Sequence, residues 1–135
     1  MTGAVLEDTV LPALKRNGYT YSSQVYIGPS VSGGRHIVDV IAVQPGGSEA
    51  LISVKYQQTS GTAEEKVPYE VIKLIHAIKN SEGRFTRAYI ILAGTRWSKR
   101  VFYLSGALAD YIIGYELVKI ITLDDFLALA NRKTL

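Results

Sequence analysis

Three polar side chains, Asp39, Ser53 and Lys55, occur within two segments that are otherwise apolar and rich in β-branched residues. An unpaired carboxylate is costly to bury in such a strand, so Asp39 is expected to bind a cation. Ser53 and Lys55 are two residues apart, which places both side chains on one face of their strand. The pattern predicts a cation-binding carboxylate beside a hydroxyl and an ammonium.

The two segments, residues 37–43 and 50–56, are predicted to form a β-hairpin. The five residues between them contain Pro and Gly, which favour reversal of the chain. A turn that pairs the last residue of the first strand with Glu49 places Asp39 opposite Ser53. The three polar groups then converge on one surface of a twisted sheet.

The elements around this hairpin follow from apolar periodicity and from Gly and Pro positions. A capping-box pattern begins at Thr62, and Pro68 suits an early helical position, so the first turn of the following helix is expected to be separate. The predicted order is αβββαβαβα, an α/β fold in a single domain 1–135. Its helices are 5–14, 62–80, 98–112 (interrupted near Gly106) and 124–131, and its remaining strands are 19–27, 87–93 and 115–121.

Composition sets broad limits on the function. A chain of 135 residues with 47% hydrophobic content fits one domain. The net charge of +3 permits a polyanionic partner, although proteins that never meet nucleic acid often carry such an excess. The absence of cysteine excludes disulfides and zinc-thiolate sites and favours a cytoplasmic location. Neither a signal peptide nor a membrane-spanning run is recognised, so a soluble protein without a membrane partner is expected.

The stretch GRHIVDV at 34–40, followed by LISVK at 51–55, resembles the PD-(D/E)XK nuclease superfamily. The resemblance covers roughly residues 1 to 94 and implies a restriction-endonuclease-like αβββαβ core, a mixed central sheet flanked by helices, here extended by a C-terminal strand and helix. It also implies that Asp39 binds Mg²⁺, for which Mn²⁺ would substitute, and that Lys55 helps to orient or activate the attacking water. Val38 replaces the family's proline.

The second motif departs from the family pattern, because Ser53 stands where the family has an acidic residue. In this respect the chain is similar to the Ser-x-Lys branch, in which a Glu from the following helix supplies the missing charge. Glu70, fifteen residues after Lys55, is the expected replacement, so it joins Ser53 among the predicted catalytic residues. Glu65 is the alternative, and Glu64 comes earlier than expected.

Two more residues are drawn into the site by the resemblance. Glu7, on the first helix, is implied as a metal ligand, although a Glu in a first helical turn also answers the helix dipole. Gln57 shares a face with Lys55 and is implied to contact metal-bound water or the scissile phosphate. An exposed amide at a strand end is the alternative for Gln57.

Basic residues mark a possible nucleic-acid surface. Arg96, Lys99 and Arg100 surround Trp97 at a strand-to-helix junction, the kind of place where loops grip nucleic acid. An ordinary basic helix start is the competing interpretation. Arg35 and Lys66 are further DNA-binding candidates. Of the two histidines, His36 is expected to be structural rather than a phosphate contact, and His76 an ordinary helix residue.

The resemblance therefore implies Mg²⁺-dependent hydrolysis of phosphodiester bonds in double-stranded DNA by a sequence-specific endonuclease of the restriction or homing type. A structure-selective Holliday-junction resolvase is one alternative. A nuclease-like module that has lost cleavage through Ser53, and only binds DNA, is the other. Because one active site cuts one strand, a homodimer or homotetramer is expected.

Overall fold

The computed structural model describes residues 2–44, 46–57 and 62–135. In this part of the chain, five strands form one sheet in the order β1-β2-β3-β4-β5. β1, β2 and β3 pair antiparallel, whereas β3, β4 and β5 pair parallel, so the sheet is mixed and the predicted fold class is confirmed. The strands are β1 (Thr20–Pro29), β2 (Arg35–Val43), β3 (Glu49–Tyr56), β4 (Phe85–Ala93) and β5 (Val118–Thr122).

Helices cover both faces of the sheet. Within the described ranges, none has the combination of length and apolar character needed to cross a membrane. The α-helices are α1 (Thr2–Val5), α2 (Leu11–Arg16), α3 (Val67–Lys79), α4 (Arg100–Leu104) and α5 (Leu123–Asn131). A π-helical turn (Leu6–Val10) joins α1 to α2, and 3-10 turns occupy Thr62–Lys66, Ala107–Asp110 and Tyr115–Leu117.

The sheet separates two hydrophobic cores. On one face, Leu51 of β3 and Ile90 of β4 pack with Leu74 of α3. On the other face, Ile52 and the neighbouring strands pack with the side chains of α2 and α5, including Phe126. Since alternate residues of a strand point to opposite faces, Ser53 and Lys55 lie on the face that α3 covers, as the spacing predicts.

The segment 98–112 contains the largest difference from the predicted elements. A helix interrupted near Gly106 was predicted; the interruption is present, but α4 covers only Arg100–Leu104 and the part after the break is a 3-10 turn rather than an α-helix. Gly106 separates them with φ +82°, a left-handed conformation that a continuing helix does not admit. Similarly, Gly114 has φ +87° and starts a 3-10 turn, so β5 begins three residues later than predicted.

The separate first turn of the α3 region matches the prediction, because Thr62–Lys66 is a 3-10 turn and α3 starts at Val67. The side chain of Thr62, on which the predicted capping box depends, lies outside the described residues. So does Pro45 in the hairpin loop. The remaining turn residues Gly46 and Gly47 connect β2 to β3 with Gly47 at φ +96°.

Near Asp39, the regular alternation of side chains between the two faces of the sheet is interrupted in β1 and β2. Val38 and Ile41 both pack in the α3-side core, although they are three residues apart, while Val40 packs in the opposite core. On β1, Gln24 lies between the partners of Val40 and Val38 and has φ +53°, which is unusual for a residue other than glycine. The strict alternation of both strands is therefore interrupted beside Asp39.

Candidate active site

The hairpin of β2 and β3 opens at Asp39. Its Val43 pairs with Glu49, as predicted, and the ladder continues to Val40 and Ile52. One residue further along, the backbone N–H of Val54 donates to Asp39 Oδ2 at 2.8 Å. The Asp39 carboxylate thus bridges the two strands at the point where their backbone pairing stops.

The environment of Asp39 disfavours an isolated negative charge. Burial raises the pKa of the Asp39 carboxyl above its ordinary value, and the nearby charge of Glu70 also raises it. The Val54 N–H and the Lys55 ammonium act in the opposite direction without cancelling the effect. A partly buried carboxylate with a second carboxylate nearby gains from a bound cation, because a cation relieves both burial and repulsion.

Glu70 lies on the face of α3 that covers Ser53 and Lys55, and it is 7% exposed. Its Oε1 is 3.4 Å from the Nζ of Lys55 and 3.4 Å from the Nζ of Lys73. Burial pushes the pKa of Glu70 upward, but the two ammonium groups and the Ser53 hydroxyl outweigh it and hold the pKa below the ordinary value. Glu70 is therefore ionised at neutral pH.

Ser53 is 2% exposed. It comes between Asp39 and Glu70 in the sequence, and its side chain lies on the same face of β3 as that of Lys55. Hydrogen bonding from its hydroxyl favours the charged form of Glu70. The structure therefore brings together four of the residues singled out from the sequence: Asp39, Ser53, Lys55 and Glu70. This group forms the candidate active site.

Lys73 is a further neighbour of Glu70 that was not singled out from the sequence. It follows Glu70 by one helical turn, and its Nζ is also 5.7 Å from the centroid of the Tyr69 ring. The spacing i, i+3 is the signal that would have found it, because such residues are neighbours on a helix surface. Its significance depends on Glu70 facing the sheet, which the sequence did not establish.

The donor set fits a small divalent cation. Asp39 and Glu70 supply carboxylate oxygens, and Mg²⁺ is commonly bound through one or two protein carboxylates together with substrate phosphates. These two carboxylates are the candidate ligands; within the described residues, no group of three or more His, Cys, Asp and Glu side chains is arranged as a metal site. Glu7 is exposed on the π-helical turn, and its role as a metal ligand stays a prediction.

Gln57 follows β3 directly but is 5% exposed, so the alternative of an exposed strand-end amide is wrong. Its Nε2 donates to the carbonyl of Arg96 at 2.7 Å, and the N–H of Arg96 donates to the Gln57 carbonyl at 3.1 Å. The backbone of Gly94 lies so close to Gln57 that only glycine fits there, because a Cβ at this position would lie 2.3 Å from the Gln57 carbonyl oxygen. These hydrogen bonds hold Gln57 against Arg96, at the start of the basic segment formed by residues 96–100. The catalytic role of Gln57 stays a prediction.

Glu64 fixes the next part of the same segment and is 4% exposed. Its carboxylate accepts hydrogen bonds from the N–H and the hydroxyl of Ser98 and from the N–H of Lys99, whose Nζ is 3.6 Å away. The Ser98 hydroxyl, followed by the smaller contributions of these other donors, lowers the pKa of Glu64. In addition, the Tyr103 hydroxyl donates to the Glu64 carbonyl at 2.5 Å. Glu64 clamps the loop before α4, whereas Glu65 is exposed.

The basic segment presents cations but not its indole. Arg96, Lys99 and Arg100 are exposed, and their role as DNA contacts stays a prediction. Trp97 is 7% exposed, packs in the α3-side core, and donates from Nε1 to the Ala93 carbonyl at 2.7 Å. The indole therefore does not contribute to this surface, because its ring packs in the core and its N–H is hydrogen-bonded internally.

The remaining cationic candidates lie apart from this segment. Arg35 is exposed, with its guanidinium 4.3 Å from the Tyr26 ring centroid, and Lys66 is exposed at the end of the 3-10 turn before α3. His36 is 2% exposed, which favours the predicted structural role over contact with phosphate. Burial and the nearby Lys73 lower the pKa of His36, so its ring is neutral at neutral pH.

Comparisons with known proteins identify a family. A family model described as a PD-(D/E)XK nuclease superfamily domain matches residues 1–134. A solved structure of a protein of unknown function has 15% identity and a TM-score of 0.49, over 84% of this chain and 54% of that chain. A repair endonuclease from Pyrococcus abyssi has 17% identity and a TM-score of 0.45, over 89% of this chain and 43% of that chain. The chain thus spans about half the length of these two structures. No curated protein sequence matches it.

Proposed function

Because the chain belongs to the PD-(D/E)XK nuclease superfamily, we propose that it is a Mg²⁺-dependent endonuclease that hydrolyses phosphodiester bonds in double-stranded DNA. The observation that carries this proposal is the convergence of Asp39, Glu70 and Lys55 where the β2–β3 ladder opens. Two carboxylates can bind a divalent cation there, and an ammonium stands next to them.

Each side chain has a distinct part in the proposed site. Asp39 and Glu70 hold the cation, with Asp39 kept in place by the Val54 N–H. Ser53 supplies no charge and instead orients Glu70, so the carboxylate that the second motif lacks comes from α3. Lys55, 3.4 Å from Glu70, directs its ammonium toward the charge that develops on the phosphate.

A bound Mg²⁺ supplies Lewis-acid chemistry, drawing charge from the phosphoryl oxygens and favouring the ionisation of an attacking water. The protein's own contribution is to place opposite charges where they are needed. Lys55 pairs with Leu92 of β4, beyond the point where β2 stops pairing with β3, so its backbone position is fixed from the β4 side. A fixed ammonium stabilises the transition state at little reorganisation cost.

The proposed substrate rests on the positively charged surface. The exposed cations Arg96, Lys99 and Arg100 project from a loop that Gln57 and Glu64 hold in a defined position. Contacts of this type position a protein on the phosphate backbone without reading sequence. We favour a sequence-specific enzyme of the restriction or homing type, and cleavage of a four-way junction in preference to plasmid would instead identify a resolvase.

The proposal is tested with Asp39→Asn and Lys55→Ala, assayed on supercoiled plasmid and on a four-way junction in Mg²⁺. Each variant should lose activity by about 10²-fold or more, because each removes a charge that serves the reacting phosphate. Asp110→Asn and Lys119→Ala are matched controls, since both residues are exposed and outside the candidate site. Melting temperatures should stay close to the parent's.

Cleavage by Asp39→Asn or Lys55→Ala within a few-fold of the parent would overturn the assignment of the site. A parent protein that binds DNA but cleaves neither substrate in Mg²⁺ or Mn²⁺ would instead identify a binding module in which Ser53 has ended catalysis.

A further inference from the structure

Four charged side chains of the candidate site balance one another. Asp39 and Glu70 contribute two negative charges, and Lys55 and Lys73 contribute two positive charges. Lys55 is the lysine of the family motif, but the motif assigns nothing to Lys73. Even so, both ammonium groups are 3.4 Å from the same oxygen, Oε1 of Glu70.

This shared oxygen creates a conflict with metal binding. A Mg²⁺ ligand oxygen lies about 2.0–2.1 Å from the ion, so an ammonium that stays on the same oxygen would be strongly repelled. If the cation binds Oε1, at least one of the two lysines must withdraw from that oxygen. If it binds Oε2 instead, both ammonium groups stay on the same carboxylate and still repel the ion.

The surroundings of the two lysines differ in a way that selects one of them. Lys55 interacts with both carboxylates, because its charge acts on Asp39 as well as on Glu70. The two lysine side chains are exposed to nearly the same extent, 27% for Lys55 and 26% for Lys73. Lys73, however, has a second partner outside the pair of carboxylates, because its Nζ is 5.7 Å from the centroid of the Tyr69 ring, which is 43% exposed. Lys73 can therefore leave Glu70 and still keep a favourable contact.

We propose that Lys73 is an exchangeable counterion of Glu70, which neutralises this carboxylate in the metal-free protein, leaves it when a divalent cation binds, and then contacts a phosphate of the nucleic-acid backbone. The inference rests on the proposed role of Glu70 as a metal ligand. It adds a link between metal loading and substrate binding that Asp39 and Lys55 alone do not provide.

The first measurement is Mn²⁺ affinity without nucleic acid, by calorimetry, for the parent, Lys73→Gln and Lys79→Gln. Removal of the competing ammonium should tighten Mn²⁺ binding by about 2- to 5-fold, the range expected for a partly exposed ion pair. Lys79→Gln removes the same charge from the same helix, from an exposed residue outside the site, and should leave the affinity unchanged. Lys73→Arg, which keeps the charge, should resemble the parent.

The second measurement is DNA affinity as a function of salt in Ca²⁺, a metal used here to limit cleavage. Loss of one phosphate contact should lower the slope of log affinity against log salt by about one in Lys73→Gln. If Lys73→Gln folds poorly, Lys73→Met carries the same two predictions.

The outcomes separate this inference from the proposed function. If Glu70→Gln weakens Mn²⁺ binding while Lys73→Gln matches the parent in both measurements, the site stands and the exchange by Lys73 is wrong. If Glu70→Gln and Asp39→Asn both bind Mn²⁺ like the parent, the metal site itself fails and the inference fails with it. Equal tightening in Lys73→Arg and Lys73→Gln would also contradict a role based on charge.

Discussion

In the proposed site, Glu70 supplies the charge that Ser53 lacks. The two residues belong to different elements, β3 and α3, yet the Ser53 hydroxyl supports the ionised form of Glu70. Ser53 alone cannot balance a bound cation because it is neutral. Glu70, which is 7% exposed, needs nearby cations to remain charged. In the proposed site, β3 and α3 thus together provide the oriented carboxylate that a single residue provides in the family motif.

Glu70→Gln is expected to weaken Mn²⁺ binding and to reduce cleavage by about 10²-fold or more, because a neutral amide cannot balance a divalent cation. Ser53→Ala should have a milder effect, since it removes orientation and not charge. Both effects can be followed by Mn²⁺ titration and by plasmid cleavage at fixed protein concentration.

Glu65→Gln is the matched control for Glu70→Gln, because Glu65 is an exposed carboxylate on the preceding turn. An active Glu70→Gln enzyme together with an inactive Glu65→Gln or Glu7→Gln enzyme would show that the carboxylate was assigned to the wrong residue. Partial recovery of cleavage by Ser53→Glu in a Glu70→Ala background would further support the proposal that Glu70 supplies the carboxylate that is missing at position 53.

The sequence predicted much of the candidate site because its residues are tied to local periodicity. The hairpin register followed from loop length, and the shared face of Ser53 and Lys55 followed from strand alternation. By contrast, the inward position of Trp97 and the burial of Gln57 depend on contacts between β3, β4 and the loop after it. Such contacts join residues far apart in the chain, so no local pattern records them.

At the scale of elements, Glu64 joins the turn before α3 to the loop before α4. The same 3-10 turn leads directly into the helix that carries Glu70, so one short segment supports both the basic surface and the candidate metal site. From the sequence, Glu64 was set aside because it comes earlier in the chain than the expected position of the replacement carboxylate. Its burial and its four polar contacts show a different, architectural role.

Glu64→Gln is expected to lower the melting temperature by several degrees at neutral pH and to flatten its dependence on acidic pH. The folded-state pKa of Glu64 is lowered, so its stabilising effect is present above the unfolded-state value near 4.5 and is lost as pH falls through the folded-state pKa. Melting curves from neutral to acidic pH measure this difference between the parent and the variant.

Glu65→Gln again serves as the control, because Glu65 is the residue next to Glu64 and its carboxylate is exposed. A parent and a Glu64→Gln variant with parallel melting temperatures across the whole acidic range would contradict this role of Glu64.

For the region of α4, the predicted interruption near Gly106 is confirmed, whereas the predicted helical extent is too long. The apolar pattern across 98–112 favours a helix, but Gly106 ends it with a left-handed φ and only a 3-10 turn follows.

At the scale of the whole molecule, we predict a homodimer or homotetramer that makes double-strand breaks. One candidate site lies in the described part of each chain, and one site cuts one strand, so paired cuts require a second copy. Sedimentation with and without DNA measures the state. A chain that stays monomeric on DNA and still makes concerted double-strand breaks would contradict the prediction.

The balance of two carboxylates against two lysines also bears on how the protein reaches and keeps its native state. Folding does not have to wait for a metal to neutralise buried acids, because Lys55 and Lys73 do so from within the chain. This differs from zinc-finger domains, in which loss of the ion means loss of the structure. A chelator should therefore suppress activity but leave the fold intact, so that the protein can be stored idle and restored by adding metal back.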